Sequence, residues 1–577
     1  MLVINGLRGK PVGNIMTMAI LDKEGNDMEQ GWLVAGLAVV MLIAIIVSHI
    51  RGDQKLRTRI EAQFGKRPEP IDEIRQIAAY WKKRRTHDAP QHHIDDMTWD
   101  DLDMDKIFQQ IDACQSSVGA AQLYAMLHEP RFDSDTLAQR EKLIGMMDAD
   151  PSMRLKLQII LAKMGRPSHH ALASLVYEVS EKRIKRPWLY TVLALLPILF
   201  IGVIFLNAYA GAILLAVSVI TNGVIYYRRF KHIETELDGV KQFSALLWAA
   251  GKIIDTHALD ELVLGRGIAE GYELFKDLGG KLSGMTKEKV SELDAIGEYI
   301  QIAFLINIRN YNRVIKALDE NTEAFCRLYW SVGELDALIA VLSFQKSLPY
   351  YCQPTFIAES CVEMDGVYHP LIEKPVGNSF VMRRGCLISG SNASGKSTFI
   401  KAVAVSAILA QTVNTCLARR FAMRPALVMT SMAVRDDVTA GESYFITEIK
   451  SLRRILDKLS EVFCLCFIDE ILKGTNTAER IAASAATLRF LHGRNCLCAA
   501  ATHDVELTRM LADNYDNYHF TETVTDEGIV FSYKIQTGPT RTRNAIRLLE
   551  FMGFDEHIIT QAQQLAENFD STGKWSI

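Results

Sequence analysis

Gly390-Ser391-Asn392-Ala393-Ser394-Gly395-Lys396-Ser397 fits the pattern G-x-x-x-x-G-K-[ST] at every fixed position. The pattern binds phosphate only between a strand and a helix, and both flanks read that way. Gly385-Cys386-Leu387-Ile388-Ser389 reads as a short buried strand, and Thr398-Phe399-Ile400-Lys401-Ala402-Val403-Ala404 opens a helix. Glycines let backbone N–H groups turn toward phosphate oxygens, and the helix N-terminus adds its positive dipole end. In this reading Lys396 reaches the β- and γ-phosphates, Ser397 ligates Mg²⁺, and Gly390 through Thr398 cradle the phosphate chain. The alternative is an accidental Gly/Ser-rich turn.

A second apolar run, Val462-Phe463-Cys464-Leu465-Cys466-Phe467-Ile468, suits a parallel strand buried on both faces and ends in Asp469-Glu470. Here Asp469 is expected to hold the Mg²⁺ shell, directly or through water, and Glu470 to orient or deprotonate an attacking water. A solvated strand end is the other reading of the acidic pair. A third run, Cys496-Leu497-Cys498-Ala499-Ala500-Ala501, ends at Thr502-His503, where a polar side chain is placed to sense the terminal phosphate.

The chain has 577 residues, 49% hydrophobic and 23% charged, with a formal net charge of −4. That length allows three or four domains. The charge argues against indiscriminate coating of polyanions, though not against local basic patches. The ten cysteines include no C-x-x-C pair. Several fall in buried strands and read as small core residues of a reducing compartment.

Three stretches are apolar enough to cross a bilayer. Gly31 to Ile50 contains no Asp, Glu, Lys or Arg, follows an acidic segment and precedes Arg51, Lys55, Arg57 and Arg59. This asymmetry predicts an N-terminus outside and residue 51 onward in the cytoplasm. A cleaved signal peptide competes with a true span, and Met16, Met18 and Met28 are alternative starts. Trp188 to Leu206 and Ala208 to Tyr227 read as a helical hairpin with Lys182, Arg183, Lys185 and Arg186 before it and Arg228, Arg229 and Lys231 after it. Both ends then face the cytoplasm, and so does the phosphate loop. A buried soluble hairpin is the competing reading. Residues 51–187 and 232–350 are helical in pattern, with apolar spacing such as Leu293, Ile296, Ile300, Phe304 and Ile308. His92-His93 lack a third spaced ligand and read as a solvated linker.

The residues beyond the loop carry a family resemblance. Asp469-Glu470-Ile471-Leu472-Lys473-Gly474-Thr475-Asn476-Thr477-Ala478-Glu479 resembles the D-E-x-x-x-G-T-x-T-x-[DE] run of the MutS family of DNA mismatch-repair ATPases. Tyr368-His369-Pro370-Leu371 is similar to the histidine-proline element that opens the family's ATPase domain, and Asn392 to the asparagine of its loop. Ala410-Gln411 with Cys416-Leu417-Ala418 resembles its glutamine loop. Asp436-Asp437 with Gly441-Glu442-Ser443-Tyr444-Phe445-Ile446-Thr447-Glu448 resembles its signature, and Thr502-His503 its switch histidine. Weaker likeness covers Asp112 to Pro130 and Leu335 to Pro354.

The resemblance implies an α/β P-loop (ABC-type) ATPase domain preceded by an all-α core and lever region, here with three predicted transmembrane helices. The expected divisions are 1–30 outside the cytoplasm, 31–50 a membrane helix, 51–97 a cytoplasmic helical linker and 98–187 core helices. The hairpin occupies 188–227, the lever and core return 228–365, and the ATPase domain with its C-terminal helices 366–577. The resemblance further implies ATP with Mg²⁺ and a homodimer in which Ser443 reaches the partner's nucleotide. It implies Gln411 at the nucleotide and Tyr533 stacked on adenine. As a strand residue, Tyr533 is equally well read as core.

Departures from the family accompany these likenesses. No counterpart of its mismatch-reading domain precedes the core, and the F-x-E triplet Phe520-Thr521-Glu522 lies inside the ATPase domain. The hairpin stands where relatives extend DNA-clamping arms, and Arg543-Asn544-Ala545 replaces the family's S-Y-G. Two functions stay open. One is a membrane-anchored, dimeric ATPase at the inner or plasma membrane that clamps mismatched or branched DNA. The other is an ATP-driven switch or scaffold acting on a protein or membrane partner without DNA.

Overall fold

Apolar runs without a polar face must be covered on both sides, and here they become neighbouring parallel strands of one sheet. The computed structural model describes residues 40, 47–48, 50–70, 74–167, 171–279, 292–391, 394–432, 444–525, 528–539 and 545–572. Its strands are β1 (Pro354–Phe356), β2 (Val362–Val367), β3 (Asn378–Met382), β4 (Cys386–Ser389), β5 (Arg420–Met423), β6 (Leu427–Ser431), β7 (Cys464–Asp469), β8 (Cys496–Thr502), β9 (Asp516–Thr525) and β10 (Gly528–Thr537). The larger sheet has the order β10-β9-β4-β8-β7-β6, parallel except for the β9–β10 hairpin. The smaller sheet has the order β1-β5-β2-β3, with β5 returning to it after β4 of the larger sheet. In the larger sheet Ser389 pairs with Thr502 and Asp469 with Ala501, so the carboxyl ends of β4, β7 and β8 lie side by side.

Before the sheets the chain is helical: α1 (Ile74–Asp88), α2 (Asp96–Asp101), α3 (Met104–Ile111), α4 (Ser117–His128), α5 (Ser134–Ala149), α6 (Pro151–Met164), α7 (Ala171–Glu178), α8 (Pro187–Ile204), α9 (Ala208–Ile254), α10 (Val263–Phe275), α11 (Glu292–Ala303), α12 (Ile306–Glu320) and α13 (Thr322–Ser347). The sheet domain adds α14 (Lys396–Val413), α15 (Tyr444–Lys458), α16 (Thr477–Leu491) and α17 (Val505–Met510), followed by α18 (Ala545–Phe551) and α19 (Glu556–Thr572).

The helical core closes around a buried carboxylate. Asp336 of α13 accepts from Gln115 N (3.0 Å), Ser116 N (2.8 Å) and Ser116 Oγ (2.6 Å), while Ser116 Oγ caps α4 through Gly119 N. A Cβ on Gly119 would lie 2.2 Å from Asp336 Oδ2, so only glycine permits this approach. The core is tied to the sheet domain by Lys401–Asp103 (2.9 Å), Thr430 Oγ1 to Asp101 (2.6 Å) and Gln345 Nε2 to Thr415 Oγ1 (2.8 Å).

Among the described residues two helices, not three, are long and apolar enough to cross a membrane: Pro187–Ile204 and Ala208–Arg229. The first expected span, 31–50, lies almost wholly outside the described residues. The second helix of the hairpin runs on through Arg228 and Arg229 to Ile254 as one 47-residue helix, roughly 70 Å long at 1.5 Å per residue. Its far end buries Val240, Phe243, Leu246 and Leu247 in the core. The stretch from Leu293 to Ile308, helical in its apolar spacing, is helical on either side of a turn at Leu305, whose φ is +49°.

Candidate nucleotide site

The sheet's carboxyl edge gathers most of the expected residues. β4 is followed by Gly390, with φ of +143°, where a Cβ would sit 2.7 Å from the carbonyl oxygen of Phe520. Gly395, with φ of +106°, precedes the first turn of α14 in the left-handed region. Lys396 is buried, and its Nζ donates to the carbonyls of Gly390 and Ser391, both at 2.7 Å. Burial lowers its pKa to about 8 despite the nearby Asp469. Ser394 Oγ donates to Ser391 O (2.7 Å), and Ser391 Oγ to Glu522 on β9 (3.0 Å). Glu522 of the F-x-E triplet thus braces the loop. Asn392 and Ala393 lie outside the described residues.

Ser397 Oγ donates to Asp469 Oδ2 at 2.5 Å. Asp469 Oδ1 is buried, and no donor among the described residues reaches it. An orphaned carboxylate oxygen beside a hydroxyl is the donor set a hard divalent cation takes, so Mg²⁺ fits Ser397 and Asp469.

Glu470 sits at φ of +56°, uncommon for a residue with a side chain, and its N–H donates to Ala501 O. Its Oε1 lies 2.7 Å from His503 Nε2 and its Oε2 lies 2.5 Å from Lys473 Nζ. His503 Nε2 is also 3.4 Å from Lys396 Nζ. Burial, then Lys396 and Lys473, lower the His503 pKa, favouring a neutral ring whose Nε2–H donates to Glu470.

Tyr533 is not a core strand residue. It occupies φ of +52° where the β9–β10 register shifts, is 44% exposed, and packs beside Gly395. Asn378 holds this bulge: its Nδ2 donates to Tyr533 O (3.0 Å) and its Oδ1 accepts from Ile535 N (2.9 Å). Tyr533, Thr398, Ser397, Phe399 and His369 line a cavity of about 480 Å³ at the mouth of the loop. His369 is buried with Nδ1 accepting from Leu371 N (3.3 Å), and no partner among the described residues meets its Nε2. Burial lowers its pKa to about 4, so the ring is neutral and presents an unspent Nε2–H.

Gln411 is a correction. It lies four turns along α14 from Lys396, about 22 Å away by helix rise, and is fully buried. Its amide donates to Ala407 O and Ala426 O and accepts from Ala426 N, while its carbonyl accepts from Arg131 N. It fastens the helical core to the sheet domain and stands apart from the nucleotide site. Ser443 lies outside the described residues.

Three residues escaped sequence reasoning. Buried Glu448 accepts from Lys473 N (3.2 Å) and Gly474 N (3.3 Å), shaping the loop that carries Glu470. The signature run contains Glu448, yet nothing local tells which loop it grips. Lys473 and Asn378 carry no sequence signal of their own.

A glycine-rich loop, a strand-end acidic pair and a strand-end histidine meet on one largely parallel sheet of an α/β domain, here fastened to a large helical region. Residues 386–570 match the family model for MutS domain V. The DNA mismatch repair protein MutS of Natronomonas pharaonis is 30% identical over 270 residues, covering 44% of this chain and 31% of that protein. Its Thermotoga petrophila counterpart is 29% identical over 276 residues, covering 46% and 34%. For Listeria welshimeri the figures are 25% over 369 residues, 61% and 42%. Over these residues the chain is similar to MutS proteins, and it spans between about a third and two fifths of the length of these relatives.

Proposed function

We propose that this chain is a MutS-type ATPase, anchored in the inner or plasma membrane, that works as a homodimer and closes its helical region around mismatched, branched or otherwise structured DNA. The observation that carries the ATPase reading is the meeting of Lys396, Ser397, Asp469, Glu470 and His503 at three adjacent strand ends. Lys396 is the cation available to the β- and γ-phosphates, and Ser397 with Asp469 would hold Mg²⁺, which would neutralise phosphate charge when bound. Glu470 orients and deprotonates water once Lys473 yields its Oε2, and neutral His503 donates to Glu470 and so sets the direction of that carboxylate. The His369 Nε2–H and the Tyr533 ring are placed to receive the base. Ser443 of one subunit serves the site of the other.

Membrane anchoring rests on α8 and the first part of α9, whose side chains are mostly exposed and apolar, with basic residues at both cytoplasmic ends. The N-terminus is then outside and the ATPase domain in the cytoplasm. One observation favours a second reading, a switch acting on a membrane or protein partner without DNA: α9 runs unbroken from the hairpin into the core, so core movement also moves the hairpin.

The deciding measurement is DNA binding by the detergent-solubilised Glu470→Gln protein with ATP, against homoduplex, mismatched, branched and single-stranded DNA across a salt series. Nucleotide-dependent binding that survives near-physiological salt supports the clamp. No binding, with dimerisation intact, turns the function to the second reading.

A further inference from the structure

The bend at Leu305 makes an elbow between α11 and α12, and that elbow packs on the hairpin. Leu305, Ile302 and Ile308 are buried together with Tyr190 of α8 and Tyr226 of α9. Asn222 of α9, 1% exposed, donates from Nδ2 to Leu193 O (2.9 Å) and Ala303 O (2.7 Å). Ala303 is the last residue of α11, so its carbonyl has no partner within that helix. Asn307 Nδ2 meets the Tyr226 hydroxyl at 3.2 Å.

The depth of these contacts follows from the hairpin. Asn222 stands two turns from Arg229 toward the hairpin tip and Leu193 two turns from Arg186, each about 10 Å inside the basic flank. At that depth unsatisfied backbone groups cost several kcal/mol, and the elbow's loose carbonyl is capped by a side chain of a spanning helix. Below it, the Tyr311 hydroxyl donates to Lys182 O (3.1 Å) and Arg183 pairs with Asp319, so α12 descends from the elbow to the cytoplasmic basic cluster. Beside the elbow, Tyr299 is 71% and Ile300 48% exposed, while Lys185, Arg186, Arg228, Arg229 and Arg313 are exposed cations.

We propose that the elbow, Tyr299 to Ile308, is a further membrane-inserted element, seated in the cytoplasmic leaflet beside the hairpin. Tyr299 and Ile300 contact lipid at the boundary between acyl chains and anionic headgroups, the level where aromatic and basic side chains gather. This rests on the membrane reading of α8 and α9. It gives the ATPase a direct lipid contact outside the hairpin, through a helix continuous with the lever.

The test is spin-label accessibility in the full-length protein in phosphatidylglycerol-containing vesicles, with labels at Tyr299→Cys, Ile213→Cys and Glu323→Cys and the unmodified protein as background. The expected result is that labels at 299 and 213 meet oxygen several-fold more readily than a water-soluble nickel chelate, and that a label at 323 does the reverse. Oxygen preference at 213 with nickel preference at 299 overturns the elbow and leaves the hairpin in the membrane. Nickel preference at 213 removes the membrane reading and the inference with it. Adding Asn222→Leu, which keeps the hairpin apolar but uncaps Ala303, should lower the ratio at 299 several-fold. An unchanged ratio there rejects the seating described.

Discussion

Two carboxylates, one in each half of the molecule, meet opposite fates. Asp336 in the helical core has both oxygens engaged by three donors from one loop, whereas Asp469 at the sheet edge has one oxygen on Ser397 and the other on nothing among the described residues. A buried acceptor left open costs stability, so it persists where a ligand completes it. The core carboxylate is finished by its own chain. The sheet carboxylate is left for what binds to complete.

The largest effect that sharpens this contrast is at Lys396. Lys396→Ala should lower ATPase kcat/KM by about 10³-fold or more, because its charge is the chief cation from the protein toward the transferred phosphoryl group. Its thermal midpoint should move little. A fluorescent nucleotide titration beside a melting curve separates the two readouts. Next comes Glu470→Gln, expected to lower turnover by about 10²–10³-fold with nucleotide affinity kept. Full turnover in that variant takes the role of base away from Glu470.

A middle-sized effect addresses the core. Asp336→Ala strands Gln115 N, Ser116 N and Ser116 Oγ, and should cost about 3 kcal/mol of stability. Asp469→Asn should cost far less stability while abolishing Mg²⁺-dependent nucleotide binding. Equal losses of stability in the two variants would erase the contrast. A pH series adds a second check, since burial raises the Asp336 pKa from 3.8 to about 6. The folded chain then keeps a proton that the unfolded chain has lost, so this group's stabilisation is largest below pH 3.8 and shrinks as pH rises toward 6. Chemical denaturation should show that slope in the unmodified protein and lose it in Asp336→Asn.

Legibility in the sequence follows the same line. Gly390, Asp469, Glu470 and His503 were readable because each sits at or just past a strand end, where an apolar run stops abruptly at chemistry, and Lys396 and Ser397 because they close a spaced glycine-lysine pattern that opens a helix. Gln411 misled, because a resemblance over a few residues says nothing of the four helical turns that separate it from Lys396. The bend at Leu305 was hidden by unbroken apolar spacing. The grip of Glu448 on the Lys473–Gly474 backbone, and of Asn378 on Tyr533, joins segments distant in sequence, and no local pattern encodes such pairings.

The smallest effect is the most discriminating, because Tyr533 belongs to neither pattern cleanly: it is a strand residue by sequence and a cavity wall by position. Its φ of +52° is a conformation glycine adopts freely and tyrosine does not, so the backbone is strained where the ring meets the cavity. If the ring stacks on the base, Tyr533→Phe should keep nucleotide affinity, while Tyr533→Ala and Tyr533→Gly should both weaken it by about 5–10-fold, near 1 kcal/mol. The two truncations should differ in stability, with glycine the more stable since it relieves the strain. Isothermal titration with a non-hydrolysable ATP analogue reads the affinity, and a melting curve reads the strain. Unchanged affinity in Tyr533→Gly would mean that the left-handed backbone shapes the β9–β10 bulge for its own sake, and base recognition would then fall to the His369 side of the cavity.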